Sequence, residues 1–303
     1  MTARIVTTKA EPGSPEWLQL VTASKVPAIL GISRFKSQFE LWHEMAGILP
    51  PAPIDDAKQE LFDYGHAAEL AAAEFWKYRN PGWRLSRGEV QYTRDELPFP
   101  NAVTIDRRGS RGRSRRVVEV KTAKSLEEWG DDGSGETPQD YAAQVLFQQI
   151  VTGWHDTADL VVWPDYGRPR VYPVEYDEAV AAAVIGRIVE WCESLAAGTP
   201  PELDDTVSCY ETVRRLHPDI DRDTAVELDP VFAVDYLRAV ADDKEATTRL
   251  RGMKTRLLDR MGRAQYARVG VHKIADRRNG KGESVSLYAA NKTNPEEIEE
   301  LYL

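Results

Sequence analysis

The chain has 303 residues, of which 42% are apolar and eight are Trp; that is enough for a packed core and excludes wholesale disorder. Two cysteines, Cys192 and Cys209, cannot build a disulfide framework, a cysteine-rich metal centre or a four-cysteine iron–sulfur cluster. The net charge of −10 argues at first sight against nucleic acid, but only if it is evenly spread.

Ser24 is placed to cap a short helix in TASKVPAILG, ended by Gly31, and a second helix is predicted over Ser37–Ala46. ILPPAP then links to a long amphipathic helix over about Asp56–Tyr78. Its one-sided stripe is Phe62, Gly65, Glu69, Ala72, Ala73 and Trp76. Glu69 is anomalous there, because a carboxylate inside a buried stripe is costly unless something positive meets it.

Three strands are predicted next, Trp83–Tyr92, Ala102–Arg107 and Arg115–Thr122, the last two joined by the hairpin-like GSRGRS. Thr137-Pro138 reads as cap and first position of a helix running to about Thr152. Strands over Asp159–Trp163 and Arg170–Glu175 and a helix over Asp177–Ala197 follow. Residues 198–229 read as a linker or wrapping segment. Asp229-Pro230 starts a helix ending at Gly262, followed by a hairpin turning at Asn279-Gly280 and an acidic tail, NPEEIEELYL. The expected division is a core over 1–197, the linker over 198–229, and an arm over 230–303. The arm comprises the helix, the hairpin and the tail, which is either disordered or a docking segment.

Charge follows this division. Residues 1–122 carry +3, residues 123–230 carry −16 and residues 231–303 carry +3. Arg107–Arg116 holds six Arg and no acid, and Arg249–Lys281 holds eleven Lys or Arg against Asp259 and Asp276. An acidic body with two basic segments suits a localised polyanion site; a solvated hairpin and a charged surface helix suit it equally. No apolar run reaches the ~18 residues of a membrane span, and Met1–Glu11 lacks a signal-peptide core, so a cytoplasmic protein is expected.

The chemistry concentrates in TIDRR and VVEVKTA. On a strand Glu119 and Lys121 share a face while Val118 and Val120 point into apolar packing. Asp106 ends the partner strand, and the hairpin returns the chain beside it at Glu119. Two acids on adjacent strands with a Lys one step along suit a hard divalent ion and a phosphate, and Glu69 would face that ion. The alternative for these residues is a set of cross-strand salt bridges. His43 and His66 read as surface residues without ligand spacing, and Trp129 is a candidate to stack on a base.

In order along the chain, TASKVPAILGIS with FELW, FDYGHAAELAAAEF, TID with VVEVKTA, and YAAQVLFQQIVTG resemble the YqaJ-like viral recombinases. That family includes the lambda-type exonucleases of the PD-(D/E)XK superfamily, and the resemblance covers about residues 18–197. It implies an α/β fold with a mixed central sheet flanked by helices, here extended by the long helix and small hairpin. It implies a 5′-to-3′ exonuclease dependent on Mg²⁺, with Mn²⁺ substituting and one or two ions per site. The enzyme would act on double-stranded DNA ends and leave a 3′ overhang for phage-type recombination. By the same resemblance Asp106, Glu119, the Val120 carbonyl and Glu69 would hold metal, Lys121 would activate or stabilise, and Gln144 would position water or phosphate. Ser24 and Thr104 would take the 5′-phosphate, with Lys25, Lys124, Tyr141 and Gln148 as further DNA contacts; an upstream Arg of the family is replaced by Trp17. A single-strand annealing partner (RecT or Red-beta type) and a homo-oligomer, a ring trimer, are implied likewise. Competing readings are a structure-specific or restriction-type endonuclease on the same core, and an inactive DNA-end-binding protein.

Overall fold

The computed structural model describes residues 3–280, 284–290 and 293–303. The chain divides into two compact units, Met1–Ile220 and Asp221–Leu303. In the first, the order is β1 (Arg4–Ile5), α1 (Pro15–Leu18), β2 (Val21–Thr22), α2 (Val26–Ile29), α3 (Gln38–Met45) and α4 (Asp56–Arg79). It continues with β3 (Arg84–Leu85), β4 (Val90–Thr93), β5 (Asn101–Ile105), β6 (Arg107–Arg111) and β7 (Ser114–Ala123). Next come α5 (Gln139–Thr152), β8 (Ala158–Pro164), β9 (Arg170–Val174), α6 (Glu178–Ala197) and α7 (Val207–Leu216).

Two sheets result, ordered β1-β4-β5-β2 and β3-β6-β7-β8-β9. β2–β5 and β7–β8 are parallel and the remaining pairs antiparallel, so the fold is mixed α/β. Parallel β7 and β8 require a crossover, which α5 supplies. The alternation along β7 does what its sequence predicts. Val118 and Val120 bury against Ala72 and Trp76 of α4, while Val117 belongs to the larger core beneath α5 with Leu160, Phe147 and Ile150. Helices thus cover both faces of the strand that carries E-x-K.

The two predicted strands before the hairpin are each broken. Trp83–Tyr92 splits into β3 and β4, and Ala102–Arg107 into β5 and β6, the members of each pair lying in different sheets. Asp106 is the residue at which the chain leaves one sheet for the other. Gly112 takes a positive φ of 59° in the two-residue turn closing β6–β7, which its missing Cβ permits. Helix α5 starts one residue later than expected, with Pro138 at the cap position and no side-chain cap.

Several expected positions differ. The first half of α4 is not core: Phe62 is 41% exposed, whereas Ala68, Ala72, Ala73 and Trp76 are buried. His43 is buried, its ring against Phe39 and Trp42 and its Nδ1 2.7 Å from the Phe39 carbonyl. Within 198–229, α7 docks on α3: Ser208 accepts from the Ser37 amide (2.8 Å) and donates to Glu40 (2.5 Å).

The second unit contains α8 (Pro230–Met261), β10 (Tyr266–Val269), β11 (His272–Asn279), β12 (Val285–Ala289) and α9 (Pro295–Tyr302). Helix α8 ends at Gly262 as predicted. The acidic tail is helical, capped by Asn294. The hairpin is not a two-residue Asn279-Gly280 turn: Asn279 still pairs with Val285, and part of the connection, including Lys281 of the basic stretch, lies outside the described residues. No described helix is long and apolar enough to cross a membrane.

Candidate active site

The centre of the site is the corner at Asp106. Because β6 pairs with β7 only up to Arg107↔Val118, the edge of β7 beyond Val118 is vacated, and Asp106 Oδ2 accepts the Val120 amide there at 2.7 Å. The N–H and C=O of one strand residue share an edge, so the Val120 carbonyl faces the same vacated side. Glu119 points to the other face, 2% exposed, and accepts three hydrogen bonds, short of a carboxylate's capacity of about four. Lys121 Nζ (2.7 Å) and Gln144 Nε2 (2.6 Å) donate to Oε1, and Gln148 Nε2 (2.8 Å) donates to Oε2. The last two come from successive turns of α5, a spacing of four that sets them on one helix face.

Glu69 meets the positive partner that its burial demands. The guanidinium of Arg107, itself buried, donates to Glu69 Oε1 and to the Asp106 carbonyl (2.6 Å). Three carboxylates therefore face two cations, Arg107 and Lys121. The imbalance falls on Asp106, whose pKa stands well above the ordinary carboxylate value, chiefly from burial and then from the charge of Glu119. Burial works against the Lys121 ammonium, but Glu119 and Asp106 outweigh it and hold its pKa above the ordinary lysine value.

These groups stand in a cleft of about 1440 Å³ whose lining includes Glu69, Asp106, Val120, Lys121, Lys124 and Tyr141. Its rim carries exposed apolar side chains, among them Phe35, Phe62, Tyr64 and Tyr166. Arg34, which sequence reasoning passed over, also lines it, anchored at 3.0 Å on the buried Asp140 of α5.

Not every expected site residue is available. Lys25 is buried over the Trp17 ring, and its ammonium donates to the carbonyls of Trp17 (2.7 Å), Leu18 (3.1 Å) and Leu20 (2.7 Å). It secures the end of α1 and has no donor left for a phosphate. Burial pushes its pKa down to about 7, with Glu44 opposing and Lys36 reinforcing the shift. Gln148 is fully buried and donates to the Thr104 carbonyl (2.9 Å) as well as to Glu119, so it braces the site and does not reach DNA. Ser24 does not cap α2, which is one turn long and begins after Lys25 without a side-chain cap. Ser24 is exposed and shares a 3.1 Å hydrogen bond with Thr22. β2 pairs in parallel with β5 at Val21↔Asn101 and Thr22↔Ala102 and ends there, so Ser24 lies in the turn after β2, while Thr104 lies within β5 and its hydroxyl accepts from Gln91 at 3.1 Å. Trp129 is buried in a stack with Tyr141 and Tyr172, so no base can use it. The Arg-rich hairpin is partly consumed in structure as well: beside Arg107, Arg116 pairs with Asp159 at 2.7 Å and lies over Trp83.

The donor set fits a hard divalent ion. It is all oxygen, it carries surplus negative charge, and one main-chain carbonyl lies on the vacated edge. Among the described residues no three acidic, histidine or cysteine side chains converge closely enough to cage an ion alone. A hard cation held here would keep several waters and rely on one or two carboxylates and the substrate's own oxygens.

Residues 16–155, which hold Glu69, Asp106, Glu119, Lys121, Gln144 and Gln148, match the model of the YqaJ-like viral recombinase domain. The chain is also 23% identical over 281 residues to the uncharacterized protein YqaJ of Bacillus subtilis (strain 168), covering 88% of this chain and 84% of that protein. Among solved structures it is similar to an alkaline exonuclease (LHK-Exo) from Laribacter hongkongensis. The crystal structure of that exonuclease gives a TM-score of 0.45 at 16% identity over 68% of this chain and 99% of that one. Its complex with dAMP gives 0.47 at 17% identity over 68% and 97%.

Proposed function

We propose that this chain is a Mg²⁺-dependent deoxyribonuclease that digests one strand of linear duplex DNA from its 5′ end, leaving a 3′ single strand for recombination by annealing. The observation that carries the reading is the Asp106 corner: a carboxylate held on the vacated edge of an E-x-K strand, at the floor of a cleft rimmed by cations and apolar side chains. The match of residues 16–155 to the YqaJ-like viral recombinase domain agrees with it.

Asp106, Glu119, the Val120 carbonyl and Glu69 would hold the ion, with Mn²⁺ an acceptable substitute. When bound, it would acidify water and offset charge on the phosphate. Hydrolysis breaks the P–O3′ bond: water supplies the new P–O bond and loses a proton, and O3′ departs with its electron pair and gains one. Ion-paired with Glu119, Lys121 acts as a charged donor to the phosphate oxygens, not as a base. Gln144 and Gln148 fix the Glu119 carboxylate through opposite oxygens, so its orientation is preset. Ser24 and Thr104 would take a terminal 5′-phosphate, and Lys124, Arg34 and Tyr141 would meet the strand entering the cleft. Phe62 and Tyr64 offer apolar surface to bases at an opened end.

An end-labelled linear duplex, with 5′-phosphate or 5′-hydroxyl, compared with a covalently closed circle in Mg²⁺, tests the reading. Processive loss from the 5′ end of the linear DNA alone is expected. Efficient nicking of the circle would favour a structure-specific or restriction-type endonuclease instead. A ring trimer and an annealing partner remain part of the proposal by family resemblance.

A further inference from the structure

Within the second unit, the small sheet β10-β11-β12 has two unlike faces. One is packed: Ala275 is buried between Ala267 and Ala289, and Arg277 donates to the Gly262 carbonyl at the end of α8. The other is polar and aromatic. The register Tyr266↔Asp276↔Tyr288 sets two tyrosines in one row across three strands, about 10 Å apart at the usual strand spacing. Both rings are nearly half exposed, 46% and 48%. Arg278 lies over the Tyr288 ring at 4.7 Å, and Arg268 and Lys273 approach the Tyr266 ring at 5.7 and 5.9 Å. Arg268 shares the Tyr266 face by strand alternation, and the register shift between Ala267 and Arg268 brings its partner Lys273 onto it. Asp276 sits buried in the middle and ties Arg278 (2.7 Å) in place, with Lys273 at 3.9 Å.

Three cations around one buried acid leave this face at +2, and the acid is already engaged. Two exposed rings flanked by guanidinium groups on an antiparallel sheet form a stacking platform with an electrostatic grip on a backbone. Only unpaired bases present their faces to such rings, since in a duplex those faces are covered by neighbouring pairs. We propose that this face binds single-stranded DNA, with one base on each tyrosine and phosphates on Arg268, Lys273 and Arg278. The face belongs to the second unit, whereas the cleft belongs to the first, and it needs no metal. It rests on the proposed reaction only for the source of the strand, which would be the 3′ overhang left by digestion.

The test is fluorescence anisotropy of the full chain in EDTA with a fluorescein-labelled thymidine oligonucleotide of about 20 nucleotides, beside a blunt duplex of similar length. The variant Tyr266→Ala/Tyr288→Ala should bind the single strand at least about tenfold more weakly, while Tyr266→Phe/Tyr288→Phe stays within about twofold of the parent. Duplex affinity should change little. Unchanged single-strand affinity in the alanine variant, or an equal loss for both DNAs, overturns the proposal. Displacement of the oligonucleotide by an acidic peptide of matched charge as effectively as by unlabelled strand would also overturn it, in favour of a peptide dock. Asp106→Asn should abolish digestion yet keep single-strand binding, so failure of the nuclease reading and failure of this one give different results.

Discussion

Replacing Asp106 by Asn should make the protein more stable and inactive at once. The amide keeps an oxygen to accept the Val120 N–H, so the corner between the two sheets is retained. What disappears is a charge. Taking Glu119 and Lys121 each at about 6 Å with an effective dielectric of about 20, either contributes roughly 3 kcal/mol to an ionised Asp106, with opposite sign. These nearly cancel, so burial decides the balance, in keeping with burial as the chief cause of the raised Asp106 pKa. Removing the ion should return about 1–2 kcal/mol, a trade of stability against function common at catalytic centres. At about 2–4 °C per kcal/mol, Tm should rise by several degrees in EDTA. Mg²⁺ at about 100 times its Kd would stabilise the parent by about 2.7 kcal/mol through mass action and should do little for the variant. Thermal melts of both chains with EDTA or Mg²⁺ measure all four values. A variant less stable than the parent in EDTA, or an equal Mg²⁺ shift in both, would refute this account of the charge balance.

Three further outcomes are expected. Lys25 has a folded pKa of about 7, below its unfolded value, so the unfolded state binds more protons above pH 7. Stability contributed through Lys25 should therefore rise from about pH 7 towards the ordinary lysine pKa, by at most about 1.4 kcal/mol per pH unit; urea denaturation of Lys25→Met at several pH values should show that slope gone. Arg107→Met should cost about 2–3 kcal/mol by leaving Glu69 unpaired, and adding Glu69→Gln should recover most of it, a coupling that a double-mutant cycle reads directly. Ser24→Ala with Thr104→Val should slow digestion of 5′-phosphorylated ends towards the rate on 5′-hydroxyl ends without changing Tm by more than a degree or two; equal slowing on both ends would remove the phosphate assignment.

The parts of the site that were legible in the sequence are those set by local spacing. Glu119 and Lys121 differ by two on a strand, Gln144 and Gln148 by four on a helix, and Glu69 stood out as a charge in an apolar stripe. What spacing could not reveal was set by long-range pairing. Nothing in TIDRR announces that Ile105 and Arg107 belong to different sheets, because both flank Asp106 in strand-like sequence. Lys25 looked like a phosphate ligand beside Ser24, yet three carbonyls seven or eight residues or fewer upstream claim its ammonium. Trp129 in an acidic loop looked exposed because the partners that bury it, Tyr141 and Tyr172, come from α5 and β9. Arg107 was counted as surface charge, although its place next to Asp106 and the unexplained burial of Glu69 together pointed to the pair. The aromatic row of the second unit depends on strand register, which Tyr266 and Tyr288, 22 positions apart, do not disclose singly.

The corner at Asp106 has a mechanical side. One carboxylate is the junction of two sheets, and it accepts the main-chain N–H of Val120, a residue of the second sheet. A ligand that draws Asp106, Glu119 and the Val120 carbonyl onto one point would therefore act as a rivet between the sheets and not merely as a guest in a cleft. Filling the site should slow amide exchange well away from the chemistry, along β4 and β5, and an empty site should let the two sheets breathe independently. On that view the energy of holding the ion is shared with the rigidity of the fold, and the strand that changes sheets is where the two meet.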